Sequence, residues 1–414
     1  MNKINNCRVC GNKNLIEIIN LGNLALTGVF PKKNNIPPSN GRLELVKCHS
    51  NNQKHCGLVQ LSNGFDLNEM YGDNYGYRSS LNISMVNHLK KIVDKIIIDI
   101  DLESDDLIID IGSNDGTTLS FYDANKYNLV GIDPTALRFK EYYNSKIKIV
   151  SDFFSREIIK NNQFFKKAKI ITSFAMFYDL EDPIEFAQTI SETLDEKKGI
   201  WVLEQSYLPS MIKYNAYDTI CHEHLEYYAL NQIKWICDES NLKIIDVELT
   251  NTNGGSFLVK CAHKNSIYSS EDDKINSLLK YEEDIGIKDL EIYNQFKLNI
   301  LKNKEDLIKL IKDINDSGKN VYGIGASTKG NVILQYCNFN TNNIRAIGEV
   351  NKDKFNSFTP GTNIPIIDEK EILDYENKYL LVLPWHFKEF FINSDNYKNQ
   401  KLIFPLPELK VVDC

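Results

Sequence analysis

A short apolar run that stops at a glycine turn constrains this chain more than anything else in it: Leu107-Ile108-Ile109-Asp110-Ile111-Gly112-Ser113-Asn114-Asp115-Gly116. A half-exposed strand alternates apolar and polar residues, and this run does not. It fits a strand covered on both faces, the habit of parallel sheets flanked by helices. Leu129 to Asp133, Lys169 to Ser173 and Gly199 to Glu204 repeat the pattern, with helical segments expected between them. That alternation predicts an α/β fold with a mostly parallel, doubly wound sheet.

At 414 residues the chain exceeds what one core usually serves. Residues 1–64 hold Cys7-Arg8-Val9-Cys10-Gly11 and the looser pair Cys48 and Cys56, with His49 and His55 as nearby substitutes. One CxxC pair and one looser pair of soft ligands suit a tetrahedral zinc ion, and four thiolates leave no open position for catalysis. The expectation is a structural zinc-binding domain at 1–64, held by Cys7, Cys10, Cys48 and Cys56. The α/β core then spans 65–265. It opens with the aromatic stretch Tyr71 to Ser80 and an amphipathic helix carrying Ile83, Val86, Leu89, Ile92, Val93 and Ile96. Residues 266–316 are charged and helix-periodic, with Leu278, Leu279, Tyr281, Ile285 and Leu290 among the apolar positions, and read as a connector. The strand–turn–helix pattern returns at Asn320 to Asn331, followed by strand-like runs at Arg345 to Glu349 and Tyr379 to Leu383. Residues 317–414 therefore read as a second Rossmann-like domain.

The spacing Asp110-x-Gly112-x-x-x-Gly116 differs from the GxGxxG turn that faces a pyrophosphate. Ser113, Asn114 and Asp115 offer polar and acidic groups instead. Asp133, followed by Pro134, ends the second run, where an acid takes ribose hydroxyls. Asp152-Phe153 stands where an adenine edge would lie, and Ser173-Phe174 ends the next strand. This set suits S-adenosylmethionine, which carries a sulfonium and an amino acid and no phosphate. The densest cluster of titratable groups is Asp218-Thr219-Ile220-Cys221-His222-Glu223-His224-Leu225-Glu226. Histidines two apart do not make the metalloprotease zinc pair, which needs them four apart on a helix. A carboxylate beside an imidazole suits general-base work.

With those residues in place, the chain resembles the sugar C-methyltransferases that act on nucleoside-diphosphate 4-keto deoxy sugars. The resemblance covers the four-cysteine domain, the DxGxxxG core, the His222-Glu223-His224-Leu225 motif and the C-terminal domain. It implies a class I methyltransferase core with a small N-terminal zinc domain and a Rossmann-like C-terminal domain. It implies His224 as base, Glu223 beside it, and a tyrosine from the aromatic loop, Tyr75 or Tyr77, at the site. It also implies that the C-terminal domain helps bind the nucleotide part of the substrate, with Lys329 and Asn331 after the second glycine turn. Asn253 in Asn253-Gly254-Gly255-Ser256 and Pro360 in Phe358-Thr359-Pro360-Gly361 lie in segments like the family's own. Two departures stand out: Cys221 where the family often has tyrosine, and Tyr178-Asp179 where it often has histidine. Those three positions and His222 complete the candidate site.

The implied reaction removes the proton beside the ketone and transfers a methyl group to that carbon. An O- or N-methyltransferase on a sugar nucleotide, a zinc-ribbon RNA methyltransferase and a non-catalytic scaffold are the rivals. With 48 basic and 56 acidic residues, the net charge of −8 disfavours nucleic acid and anionic membranes. No run is long enough to cross a bilayer and the first residues lack a signal-peptide core, so a cytoplasmic protein, monomer or homodimer, is expected.

Overall fold

The computed structural model describes residues 2–33, 36–50, 54–65, 67–70, 77–162 and 166–414. At its centre lies a seven-stranded sheet. Its strand order is Leu242–Thr250, Ser256–His263, Ile200–Ser206, Ile170–Phe174, Leu107–Ile111, Asn128–Ile132, Lys148–Val150. Ser256–His263 runs antiparallel to both its neighbours, and the pairs from Ile200–Ser206 outward are parallel. All five residues of Leu107–Ile111 are buried, as the unbroken apolar run requires. The chain winds outward from that strand in both directions. The switch point therefore falls between it and Ile170–Phe174, where such sheets seat ligands.

Two features depart from the expected alternation. The links after Leu107–Ile111 and Asn128–Ile132 carry single 3-10 turns, Leu119–Phe121 and Lys140–Tyr142, rather than α-helices. The first link is short and rich in turn formers: Asp123 accepts from the amide of Asn125, and Ser120 bonds back to Thr117. The sheet also ends in an antiparallel hairpin, Leu242–Thr250 with Ser256–His263, which the apolar-run pattern does not announce.

The expected helix is present at Ile83–Asp99. Asn82 caps it, its side chain accepting from Ser84 and Met85 amides, and it buries Leu89, Ile92, Val93 and Ile96. The connector is helical too. Glu291–Asp316 buries Tyr293, Phe296, Ile300, Leu307, Ile311 and Ile314, a three-and-four spacing that lays one face on the core.

The C-terminal sheet has the order Ile366–Asp368, Ile347–Glu349, Asn320–Ile324, Lys378–Val382, Lys401–Phe404, Lys410–Asp413. Its pairs are parallel except the last. Here the switch point lies between Asn320–Ile324 and Lys378–Val382.

The N-terminal segment forms a four-stranded antiparallel sheet ordered Leu15–Ala25, Asn40–Cys48, Val59–Leu61, Glu226–Tyr227. Its last strand comes from the central segment, directly after the His222-Glu223-His224 triplet. Among the described residues, no helix is long and apolar enough to cross a membrane.

Candidate active site

The four N-terminal sulfurs all lie within 4.8 Å of one another. Cys7 Sγ is 3.4 Å from Cys56 Sγ, and Cys10 Sγ is 3.5 Å from Cys48 Sγ. A tetrahedral zinc–thiolate site has sulfur–sulfur edges of about 3.8 Å, so the cluster fits the ion. Asn12 Nδ2 donates to Cys48 Sγ at 3.3 Å, the kind of outer contact that steadies a thiolate ligand.

The glycine turn closes on itself. Gly112 and Ser113 amides donate to the Ile132 carbonyl, and the Asn114 amide donates to Asp133 Oδ2 at 2.9 Å. Gly112 has φ +73 and faces Met176, so a side chain there would be strained and crowded. The amides of Gly112, Ser113 and Asn114 are thus engaged within the protein rather than free for a phosphate. Asp110, Asp115 and Asp133 are buried around the turn instead. Burial pushes the Asp110 carboxyl up to about 7, against hydrogen bonds from Thr172 and Thr118. This acidic donor set fits a cationic cofactor carrying an ammonium and a sulfonium.

Tyr77 to Ser80 strap across that turn. The Ser79 amide donates to Asn114 Oδ1 and the Ser80 amide to Asp115 Oδ2, both at 3.0 Å, and Asn114 Nδ2 donates to the Tyr77 carbonyl. Tyr77 is thereby placed beside the glycine turn, whereas Tyr75 lies outside the described residues. Ser113 hydroxyl meets Tyr143 OH at 2.8 Å. Pro134 lends its carbonyl to Ser151, and Asp152 is exposed and accepts from the Phe153 amide. Phe153 is exposed and Phe174 half-buried. Ser173 is turned inward, its hydroxyl accepting from Trp201 Nε1 at 2.9 Å.

The triplet sits on a loop, and its members diverge. His222 is fully buried against the N-terminal domain. Its Nε2 donates to the Gly41 carbonyl at 3.2 Å, its Nδ1 lies 3.4 Å from Thr27 Oγ1, and its ring packs edge-on against Phe65. Burial lowers its pKa to about 4, so it is neutral. Glu223 is buried, accepts from Thr27 Oγ1 at 3.4 Å, and is pushed up by burial. A Cβ on Gly28 would collide with this carboxylate, so glycine lets the N-terminal backbone close on it.

His224 faces the other way. Its Nδ1 lies 3.0 Å from the Thr219 carbonyl. A carbonyl only accepts, so Nδ1 carries the proton and Nε2 keeps its lone pair. Its ring stands 4.1 Å from that of Tyr178. Burial first, and then the charge of Lys329, lower its pKa to about 3. Leu225 holds the loop in place: its amide donates to the Tyr178 carbonyl, and its carbonyl accepts from Leu61, each at 2.8 Å. Cys221 is fully buried and raised by burial, with Glu223 and Asp179 among the charges acting on it.

The C-terminal domain closes the far side. Lys329 Nζ donates to the Asn253 carbonyl at 2.9 Å, and Asn331 Nδ2 donates to the Thr27 carbonyl at 2.8 Å. Asn253 itself is left-handed, with φ +53. Pro360 is buried in the 357–361 loop, where Phe358 N bonds to the Pro31 carbonyl. Four contributors carried no role in the sequence reading: Thr219, Thr27, Trp385 and His386. Trp385 Nε1 donates to Asp218 Oδ2 at 2.7 Å and packs against Gly254.

Three family models match in tandem. A zinc binding domain matches residues 7–71, a methyltransferase domain 86–247, and a C-methyltransferase C-terminal domain 251–407. The chain is an S-adenosylmethionine-dependent methyltransferase. Its resemblance to the sugar C-methyltransferases runs through all three parts, and its cofactors are S-adenosylmethionine and a structural zinc ion. A curated relative, C-methyltransferase NovU of Streptomyces niveus, is 25% identical over 99% of this chain and 97% of its own. Two solved structures each cover less than half of this chain. A methyltransferase from Clostridium acetobutylicum is 11% identical over 43% of this chain and 92% of its own, with a TM-score of 0.34. Magnesium protoporphyrin IX methyltransferase of Synechocystis is 14% identical over 48% and 92%, with a TM-score of 0.33.

Proposed function

We propose that this methyltransferase alkylates the carbon beside the ketone of a nucleoside-diphosphate-linked 4-keto deoxy sugar, with His224 as general base. The observation that carries the reading is the tautomer of His224: its Nδ1 proton is committed to Thr219, and its Nε2 lone pair is left for a substrate proton. The full-length similarity to a C-methyltransferase supports carbon as the acceptor. S-adenosylmethionine supplies the electrophilic methyl group, and Asp133 with the turn from Asp110 to Gly116 would hold it.

Every other task falls to side chains of the chain. His224 removes the proton that the ketone acidifies, and the electron pair moves into the enolate. Tyr178 shields one face of the imidazole, and Leu225 fixes its position between two sheets. Glu223, held by Thr27, would serve as an acceptor for a sugar hydroxyl. His222, with both nitrogens engaged by the N-terminal domain, positions the loop. Asn331 and Pro360 from the C-terminal domain and Asn253 from the turn between the last two strands of the central sheet would line the approach, and Asp179 and Cys221 would shape the sugar pocket. We assign the protein to the cytoplasm.

The test is mass spectrometry of thymidine-, guanosine- and cytidine-linked 4-keto-6-deoxy sugars incubated in heavy water. Wild type is expected to add one methyl group that resists O-demethylation, and without cofactor to exchange one carbon-bound proton for deuterium. His224→Gln should slow exchange by about 10²–10⁴-fold while cofactor binding persists. Wild-type exchange in that variant would remove His224 from the role, and an O-methyl product would sink carbon as the acceptor.

A further inference from the structure

We infer that Lys329 is a catalytic residue whose ammonium holds the enolate oxygen, and that it is not the ligand of the substrate diphosphate. The inference rests on the reading of His224 as base.

Lys329 stands in the first turn of the helix Thr328–Tyr336, which Ser327 caps through the Gly330 amide at 3.0 Å. That turn is pressed onto the catalytic loop from the side. Asn331 reaches the Thr27 carbonyl, Thr27 bonds to Glu223, and a Cβ on Gly28 would touch both Glu223 and Thr328. The Lys329 ammonium gives one N–H to Asn253, and among the described residues no second acceptor takes another. Its field reaches His224, His386, Asp218 and Cys221, and among the described residues it is the one cation acting on His224 and on His386.

Among the described residues, Asp218 Oδ1, an acceptor, and His386 Nδ1 are buried without a partner, and the Asn253 carbonyl already draws on the ammonium. A diphosphate brings two or more negative charges and recruits several donors at once. One lysine beside a carboxyl group is poorly matched to that load. It is matched to a single oxygen that gains a single charge. When His224 Nε2 takes the proton, the C–H electron pair becomes the C=C bond and the carbonyl π pair moves to oxygen. A fixed cation facing that oxygen lowers the barrier without rearranging. Burial first, and then the same cation, keep His224 neutral before the proton moves.

The experiment measures deuterium uptake from heavy water into saturating 4-keto-6-deoxy sugar nucleotide, with thymidine diphosphate binding measured separately by calorimetry. In Lys329→Met and Lys329→Gln, exchange at saturation should fall by about 10²–10³-fold, the cost of losing one oxyanion donor. Thymidine diphosphate affinity should stay within about threefold, and thermal melts report whether each variant folds. Saturated exchange near wild type, with weakened KM and diphosphate affinity, would overturn the inference and return Lys329 to the diphosphate. Absence of exchange in the wild type with every sugar would overturn the base assignment as well, so the two failures read differently.

Discussion

The two glycine turns of this protein share a plan and differ in sign. Each follows the first strand of a doubly wound sheet, at the switch point. Each is fastened by the acid that ends the neighbouring strand: Asp133 accepts from the Asn114 amide, and Glu349 accepts from the Ala326 amide at 3.0 Å. Around the central turn the buried charged groups include Asp110, Asp115 and Asp133, with Arg78 Nε 3.9 Å from Asp115. Around the C-terminal turn they include Lys329 and Lys354, the latter donating to the Ala326 carbonyl at 2.7 Å. Backbone geometry makes the seat, and the side chains at its rim choose the charge of what occupies it.

Replacing the two fastening acids breaks the comparison most sharply. Asp133→Ala should weaken S-adenosylmethionine binding by about 100-fold, from the loss of two charge-assisted hydrogen bonds at about 1.5 kcal/mol or more each. Glu349→Ala should leave that affinity within about twofold and lower stability by about 1–3 kcal/mol, because three amides lose their acceptor. Calorimetric titration and thermal melts read the two effects, and equal losses of affinity would dissolve the distinction.

The next largest effect concerns pH. His224 is held near 3, far below an ordinary histidine, so it stays unprotonated as pH falls from 8 through 6.5. The acid limb of kcat/KM should therefore lie well below 6.5. A limb centred at 6.5 would mean that the base titrates as an exposed imidazole. The stability sign is the usual one for a depressed histidine. Its contribution is intact above 6.5 and is lost as pH falls toward the folded value.

The smallest expected effect sharpens the C-terminal turn. Ser327→Ala removes the cap on Gly330 and should cost about 1 kcal/mol, seen as a drop in melting temperature with cofactor affinity unchanged.

Much of this architecture was legible in the residues. Leu107 to Ile111 announced a buried strand because nothing in it alternates, and four cysteines in one CxxC pair and one looser pair announced their cluster. The hairpin of Leu242–Thr250 and Ser256–His263 was not announced, since its residues alternate less cleanly and its register depends on the neighbouring strand. At the site, the triplet was visible, but the separate surroundings of its histidines were not. His222 meets Gly41 from 181 positions away, and His224 meets a backbone carbonyl that any residue at 219 would supply. A sequence displays side chains, whereas these assignments depend on which carbonyl the fold brings to each ring. Tyr75 remains an expectation from the resemblance.

The two-residue strand Glu226–Tyr227 also bears on how such proteins can be recombined. The zinc module completes its sheet with residues borrowed from beyond the methyl-donor domain's fifth parallel strand, so the seam between them is woven rather than hinged. A chimera cut near residue 64 would exchange the sheet but keep a foreign edge strand, and would inherit a misaligned catalytic loop. Functional hybrids should require residues 1–64 and 220–230 to travel together as one heritable unit.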